Sequence, residues 1–237
     1  MEFSAPIFIL KQNAKTLARR EKIPLHAALD RVAQGEGFKA WSQLAAQWNS
    51  NGSDFDLLGK LQPGDLVLIA ARPGEGKTLL GIKLAVESVA RGNRAAFFTL
   101  EFTEADVARC CKSIDIDLSE YREGMSIDTS DRICAPYIAT QLASALPGTL
   151  VVIDYLQLLD QRRENPGLMD QVAQLKRLAA ERKAIIICLS QVDRRYDPGS
   201  KACPGIEDIR LPNPVDVSSF DKACFLSRGR MNFQAGI

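Results

Sequence analysis

Apolar residues fall into two rhythms along this chain. From residue 57 onward, short, mostly apolar runs alternate with stretches whose apolar positions recur every three or four residues. The runs are Leu66–Ala71, Ala95–Leu100, Leu150–Ile153, Ala184–Leu189 and Lys222–Ser227. A run of this length predicts a strand covered on both faces. Between the first two runs, Leu79, Leu80, Ile82, Leu84, Ala85, Val86 and Val89 predict a buried helix from Thr78 to about Arg91, stopped by Gly92-Asn93. Residues 103–148 carry two or three helices, with Ile138, Leu142 and Leu146 on one apolar face. Val172, Leu175, Leu178 and Ala179 give a further amphipathic helix. Five strands alternating with helices predict an α/β fold, a mostly parallel sheet with helices on both faces.

Residues 1–50 keep only the helical rhythm. Ile9, Leu10, Ala14, Leu17 and Ala18 define a first helix. Pro24 starts a second, with Leu25, Ala28, Leu29 and Val32 on one side and Gly35 and Gly37 at its end. Phe38, Trp41, Leu44, Ala45 and Trp48 give a third. This segment reads as a separate small helical module. The polar run Asn49–Asp54 reads as the linker to the domain spanning residues 57–237.

Chemistry concentrates where the strands end. The Leu66–Ala71 strand runs into Arg72-Pro73-Gly74-Glu75-Gly76-Lys77-Thr78 and then a helix, which is the layout of a phosphate-binding loop. The turn N–H groups and the positive helix end face one anion. Ala71 to Leu79 would cradle the phosphates, with Lys77 on the β/γ-phosphates and the Thr78 hydroxyl on Mg²⁺. Ala71 stands where the motif has its first glycine, and alanine does not reach a positive φ at glycine's low cost. Glu101 follows the second strand, on the ligand side of an open α/β sheet, and is a candidate general base toward a water attacking the γ-phosphate. Asp154 closes a buried strand and is the candidate Mg²⁺ carboxylate. Gln191, after the next strand, is a candidate to sense the γ-phosphate or orient water.

Composition narrows the partners. The net charge is +1, so no global basic field marks a nucleic-acid binder, and contact with nucleic acid would rest on local loops. Arg162 and Arg163 lie in one charged loop, Arg194 and Arg195 in a second that runs from Asp193 to Asn213 and is long enough to be functional. No signal peptide or membrane span is visible. The six cysteines form no C-x-x-C and His26 is the single histidine, which argues against zinc and for reduced, cytoplasmic thiols. Cys188 and Cys224 lie in strand runs and read as small core residues.

Several segments together resemble the ATPase domain of DnaB-type replicative helicases, a RecA-like P-loop NTPase. They are Ala71-Arg72-Pro73 with Gly76-Lys77-Thr78, Thr99-Leu100-Glu101-Phe102, Val152–Leu158, Leu189-Ser190-Gln191 and Gly205–Arg210. Alanine at position 71 is usual in that family. The resemblance covers roughly residues 57–230. It implies ATP hydrolysis at the subunit interfaces of a homo-oligomeric ring. Glu101 would be the base, Lys77 and Thr78 would meet phosphate and Mg²⁺, Asp154 would hold Mg²⁺, and Gln191 would sense the γ-phosphate. Single-stranded DNA would pass the loops that carry Arg162, Arg163, Arg194 and Arg195. The family's N-terminal collar is replaced by a different helical module, and its C-terminal hairpin is missing or shrunken. Arg228 or Arg230 is the candidate arginine supplied in trans. A second reading is a RecA/KaiC-like ATP switch that gates a protein partner through residues 1–50 without unwinding DNA.

Overall fold

The structure is a computed structural model that describes residue 4 and residues 7–52, 56–114, 116–197, 199–201, 203–210, 215–227 and 230–236. Its centre is a seven-stranded sheet in the order β3-β2-β4-β5-β1-β6-β7. The strands are β1 (Leu66–Ala71), β2 (Ala95–Thr99), β3 (Met125–Asp128), β4 (Leu150–Asp154), β5 (Ile185–Gln191), β6 (Lys222–Ser227) and β7 (Arg230–Ala235). All pair in parallel except β7, which returns antiparallel along β6.

Strand periodicity divides the core. In β1, Leu66, Leu68 and Ala70 face one side, while Val67, Ile69 and Ala71 face the other. The first side is covered by α6 (Ala135–Gln141) and α7 (Leu168–Arg182), through Ile138, Val172 and Leu175. The second is covered by α4 (Lys77–Ala90) and α5 (Glu104–Ser113), through Ile82, Ala85 and Val107. Every residue of β1 and β4 is buried, as two-sided cover requires. Helix α4 lies close against the sheet. A Cβ added at Gly81 would sit 3.0 Å from Val152 Cγ1 and 3.1 Å from Leu189 Cδ1. Cys188 and Cys224 are buried in this core, and desolvation pushes both thiols up to about 12.

Three helices precede the sheet: α1 (Ile7–Glu21), α2 (Leu25–Gly35) and α3 (Trp41–Gly52). Their small core is Leu10, Ala33, Phe38 and Leu44, with Trp41 and Trp48 packed against it. Asp30 fixes the α2–α3 corner by accepting from the Trp41 N–H at 2.9 Å.

Three sequence expectations are corrected. Helix α3 continues through Asn49–Gly52, where a turn-rich linker is predicted, because each further helical residue adds a backbone bond once a helix is nucleated; residues 53–55 lie outside the described ones. Leu146 lies beyond the end of α6, outside its helical register, and is 61% exposed. The sheet has seven strands instead of five. The two extra ones, β3 and β7, sit at its edges, where one-sided cover leaves no unbroken apolar run. Strand β7 returns antiparallel along β6, which is itself the last predicted strand.

Candidate functional site

The carboxyl ends of β1, β2, β4 and β5 bring the predicted chemistry to one edge of the sheet. β1 delivers the loop, and Ala71 is still strand: it pairs with Gln191 and Leu226, and its carbonyl accepts from the Val192 N–H at 3.0 Å. Extended backbone suits alanine, so no glycine is required there. The left-handed turns fall beyond the strand, at Gly74 (φ +85°) and Gly76 (φ +88°), where glycine avoids the Cβ penalty. The Arg72 carbonyl accepts from the Glu75 N–H at 3.2 Å, and the Gly76 carbonyl starts α4 by accepting from Leu80 at 2.9 Å. Pro73 and Gly74 form the exposed crest of the turn, and Leu79 is half-buried in the first helical turn.

Lys77 and Thr78 enter that first turn facing β4. Lys77 Nζ lies 3.0 Å from Asp154 Oδ1, 3.4 Å from Glu101 Oε2 and 4.9 Å from the centre of the Tyr155 ring. Thr78 Oγ1 donates to the other Asp154 oxygen at 2.8 Å. Asp154 is 0% exposed and Lys77 7%. Taking both charges out of water is expensive, and an apolar pair would be no less stable there. Such a pair in a phosphate-loop frame makes this strand edge the candidate functional site. Glu101 differs: its side chain is 40% exposed, at the open side of the cluster.

Thr99 aims that carboxylate. It is fully buried at the end of β2, and its hydroxyl accepts from the N–H groups of Glu101 and Phe102, both at 3.2 Å. Leu100 donates to the Asp154 carbonyl at 2.9 Å, tying the Glu101 turn to β4. Thr103 and Asp106 then form a reciprocal cap that starts α5. Sequence reasoning assigns no role to Thr99, Tyr155 or Gln157, although all three lie in the family-like segments. Their one signal is membership of those motifs, which states no task for them.

Gln191 ends β5, half-buried beside Ala71. Gln157 sits across from it in the turn after β4. Its Nε2 donates to Ser190 Oγ at 2.7 Å and to the Arg210 carbonyl at 2.6 Å, and its Oε1 faces the Gln191 N–H at 3.4 Å.

The arginines of the two predicted loops divide. Arg162 is engaged by acids, 3.3 Å from Asp131 Oδ2 and 2.5 Å from Glu164 Oε1. Its loop is stapled by the buried Gln171, which donates to the carbonyls of Leu159 and Pro166 and accepts from the Ala135 N–H. Arg195 is 92% exposed and reaches back to Asp193 at 3.1 Å. Arg163 and Arg194 are exposed. The second loop is anchored by Tyr196, buried, whose hydroxyl donates to the Lys201 carbonyl at 2.8 Å. Arg228 lies outside the described residues, and Arg230 opens β7 opposite Ser227.

A family model described as "ATPase: KaiC" matches residues 50–211, a span that includes Lys77, Thr78, Glu101, Asp154 and Gln191. The chain belongs to the KaiC ATPase family. Within that family's wider relations, it is 29% identical to the replicative DNA helicase DnaB of Pasteurella multocida over 216 residues, 73% of this chain and 45% of that protein. It is 26% identical to a probable plasmid replicative DNA helicase of Chlamydia muridarum over 71% of this chain and 44% of that one. The chain thus spans less than half the length of these curated relatives. Among solved structures, a DnaB-like replicative helicase, described together with its interactions with primase, matches with a TM-score of 0.60 at 18% identity over 92% of this chain and 64% of that one. A second solved structure, itself an isolated ATPase domain, matches with a TM-score of 0.54 at 21% identity, covering 69% of each chain. The RecA-like fold and the DnaB-type resemblance of this KaiC-family ATPase are therefore established. Among the described residues no helix is long and apolar enough to cross a membrane.

Proposed function

We propose that this chain binds ATP with Mg²⁺ and hydrolyses it as a DnaB-type, DNA-dependent ATPase of the helicase class. The observation that carries the reading is the buried cluster of Lys77, Thr78 and Asp154 with Glu101 at its open side. Ala71 to Leu79 cradle the phosphates, and Lys77 exchanges its carboxylate partners for the β/γ-phosphates when nucleotide enters. Thr78 Oγ1 and the Asp154 carboxylate are hard oxygen donors 2.8 Å apart, a set that suits Mg²⁺ completed by phosphate and water. Bound there, Mg²⁺ neutralises charge that develops on the phosphate oxygens. Glu101, held in direction by Thr99, takes the proton of the attacking water. Gln191 faces the γ-phosphate.

In this reading residues 1–50 form a small helical module and residues 57–237 the ATPase domain of a cytoplasmic protein. Copies assemble into a ring in which Arg228 or Arg230 reaches the neighbouring site. Single-stranded DNA runs along the loops that carry Arg162, Arg163, Arg194 and Arg195, since exposed cations track a phosphate backbone. A second reading, compatible with the family match, is a RecA/KaiC-like ATP switch that gates a protein partner through residues 1–50 without unwinding DNA. Steady-state ATP hydrolysis with and without single-stranded DNA, at several salt concentrations, separates the two. Stimulation that fades with salt supports the DNA-dependent ATPase. Turnover indifferent to DNA at every salt concentration supports the switch and overturns the first reading.

A further inference from the structure

The side chain of Gln157 has a task that neither the phosphate loop nor the arginines supply. Its amide orientation is dictated by its partners. The Arg210 carbonyl accepts only, so Nε2 must face it, and Oε1 then faces the Gln191 N–H. Both Nε2 protons are used, one on Ser190 Oγ at 2.7 Å and one on Arg210 O at 2.6 Å. Ser190 is fully buried. The backbone completes the arrangement. Arg210 donates to the Gln191 carbonyl at 2.8 Å, Asp193 donates to the Asp208 carbonyl at 2.7 Å, and Val192 and Ile209 form an antiparallel bridge between them. One amide therefore joins three chain segments: the turn after Asp154, the end of β5 and the returning strand of the Asp193–Arg210 loop.

We propose that Gln157 is a positioning residue that makes Gln191 and the Arg194–Arg195 loop move as one body, so that the state of the nucleotide is read out in that loop. The proposal rests on the reading of Gln191 as the residue that faces the γ-phosphate. Without the amide, the loop would be tied to Gln191 by backbone bonds alone, and a shift of Gln191 would be absorbed at the Val192–Ile209 bridge.

Two same-sized variants of the full chain test this by amide hydrogen exchange. Gln157→Glu places a carboxylate oxygen against the Arg210 carbonyl. Gln157→Met keeps the volume and removes the hydrogen bonds. In nucleotide-free protein, the Asp193 and Arg210 amides of both variants should exchange about tenfold faster than wild type, the factor typical of one net hydrogen bond. The Ile186–Leu189 amides should be unchanged. Unaltered exchange of Asp193 and Arg210 in both variants would overturn the clamp. Adding Mg²⁺ and a non-hydrolysable ATP analogue should change the protection of these two amides in wild type and leave it unchanged in the variants, which still bind the analogue. An equal response in the variants overturns the coupling. Wild-type protein that binds no analogue removes the underlying site reading and the coupling with it, and the clamp then stands or falls on the nucleotide-free comparison.

Discussion

The phosphate end and the arginine loops lie along the same edge of one sheet and treat charge in opposite ways. At the phosphate end, Lys77 and Asp154 are buried and bonded to each other, with the Thr78 hydroxyl closing the cluster. In the loops, Arg195 is almost fully exposed and Arg162 is held by surface acids. Buried charge costs several kcal/mol per ion, so it persists only where every partner is specified and where an apolar substitute would fail at the task. Exposed charge costs little and specifies little. The contrast teaches that the first region is chemically committed by its own packing, whereas the second acquires a meaning only when a polyanion or a partner meets it.

The sharpest way to break this contrast is Lys77→Ala. ATP turnover should fall on the order of a hundredfold to a thousandfold, because one fixed cation no longer meets the phosphates. The nucleotide-free protein should also lose about 3 kcal/mol in denaturant unfolding, since Asp154 is left buried with only Thr78. Gly81→Ala probes the rigidity beneath the loop. The added methyl would press on Val152 and Leu189 and should cost about 1–3 kcal/mol, read as a lower unfolding midpoint at unchanged m. Arg194→Ala and Arg195→Ala should do the reverse. Stability should stay within about 0.5 kcal/mol of wild type, while the slope of DNA affinity against salt should fall by about one for each phosphate that is no longer neutralised.

The smallest effect concerns acid. Lys201 and the Glu207 backbone N–H hold the Glu207 carboxyl below its usual range. Burial pulls Asp208 upward, but the Gly205 N–H and Lys201 outweigh it and hold it low. Carboxylates with lowered folded pKa values stabilise the fold above their unfolded pKa and lose that contribution as pH falls through the folded one. Loop 193–210 should therefore open below about pH 4, ahead of the sheet. Faster cleavage there by an acid-active protease at pH 3 than at pH 5, with α7 and β4 still protected, is the expected pattern.

Much of this is legible in the sequence because burial on both faces writes itself as unbroken apolar runs. β1, β4 and β5 and the residues at their ends, Lys77, Thr78, Asp154 and Gln191, can be placed that way. Edge strands write a different pattern: Met125–Asp128 and Arg230–Ala235 alternate polar and apolar positions over four and six residues, the rhythm of a strand covered on one face, which a search for unbroken apolar runs passes over. Ala71 is a departure only if the loop starts there; the structure keeps it in the strand. Thr99, Gln157 and Gln171 act through hydrogen bonds to chain segments distant in sequence or around a turn, and spacing along a sequence does not encode such partners. Arg162 reads as a free loop cation although Glu164 stands two positions on, and its second acidic partner, Asp131, lies thirty-one positions upstream where spacing gives no sign of it.

The central claim, that Glu101 is the base of an ATP site built on Lys77, Thr78 and Asp154, is tested most directly by Glu101→Gln, with nucleotide affinity and steady-state turnover measured on the same protein. ATP affinity close to wild type with turnover reduced by about a hundredfold or more is the predicted result. Turnover unchanged, or affinity and turnover lost together, would contradict it.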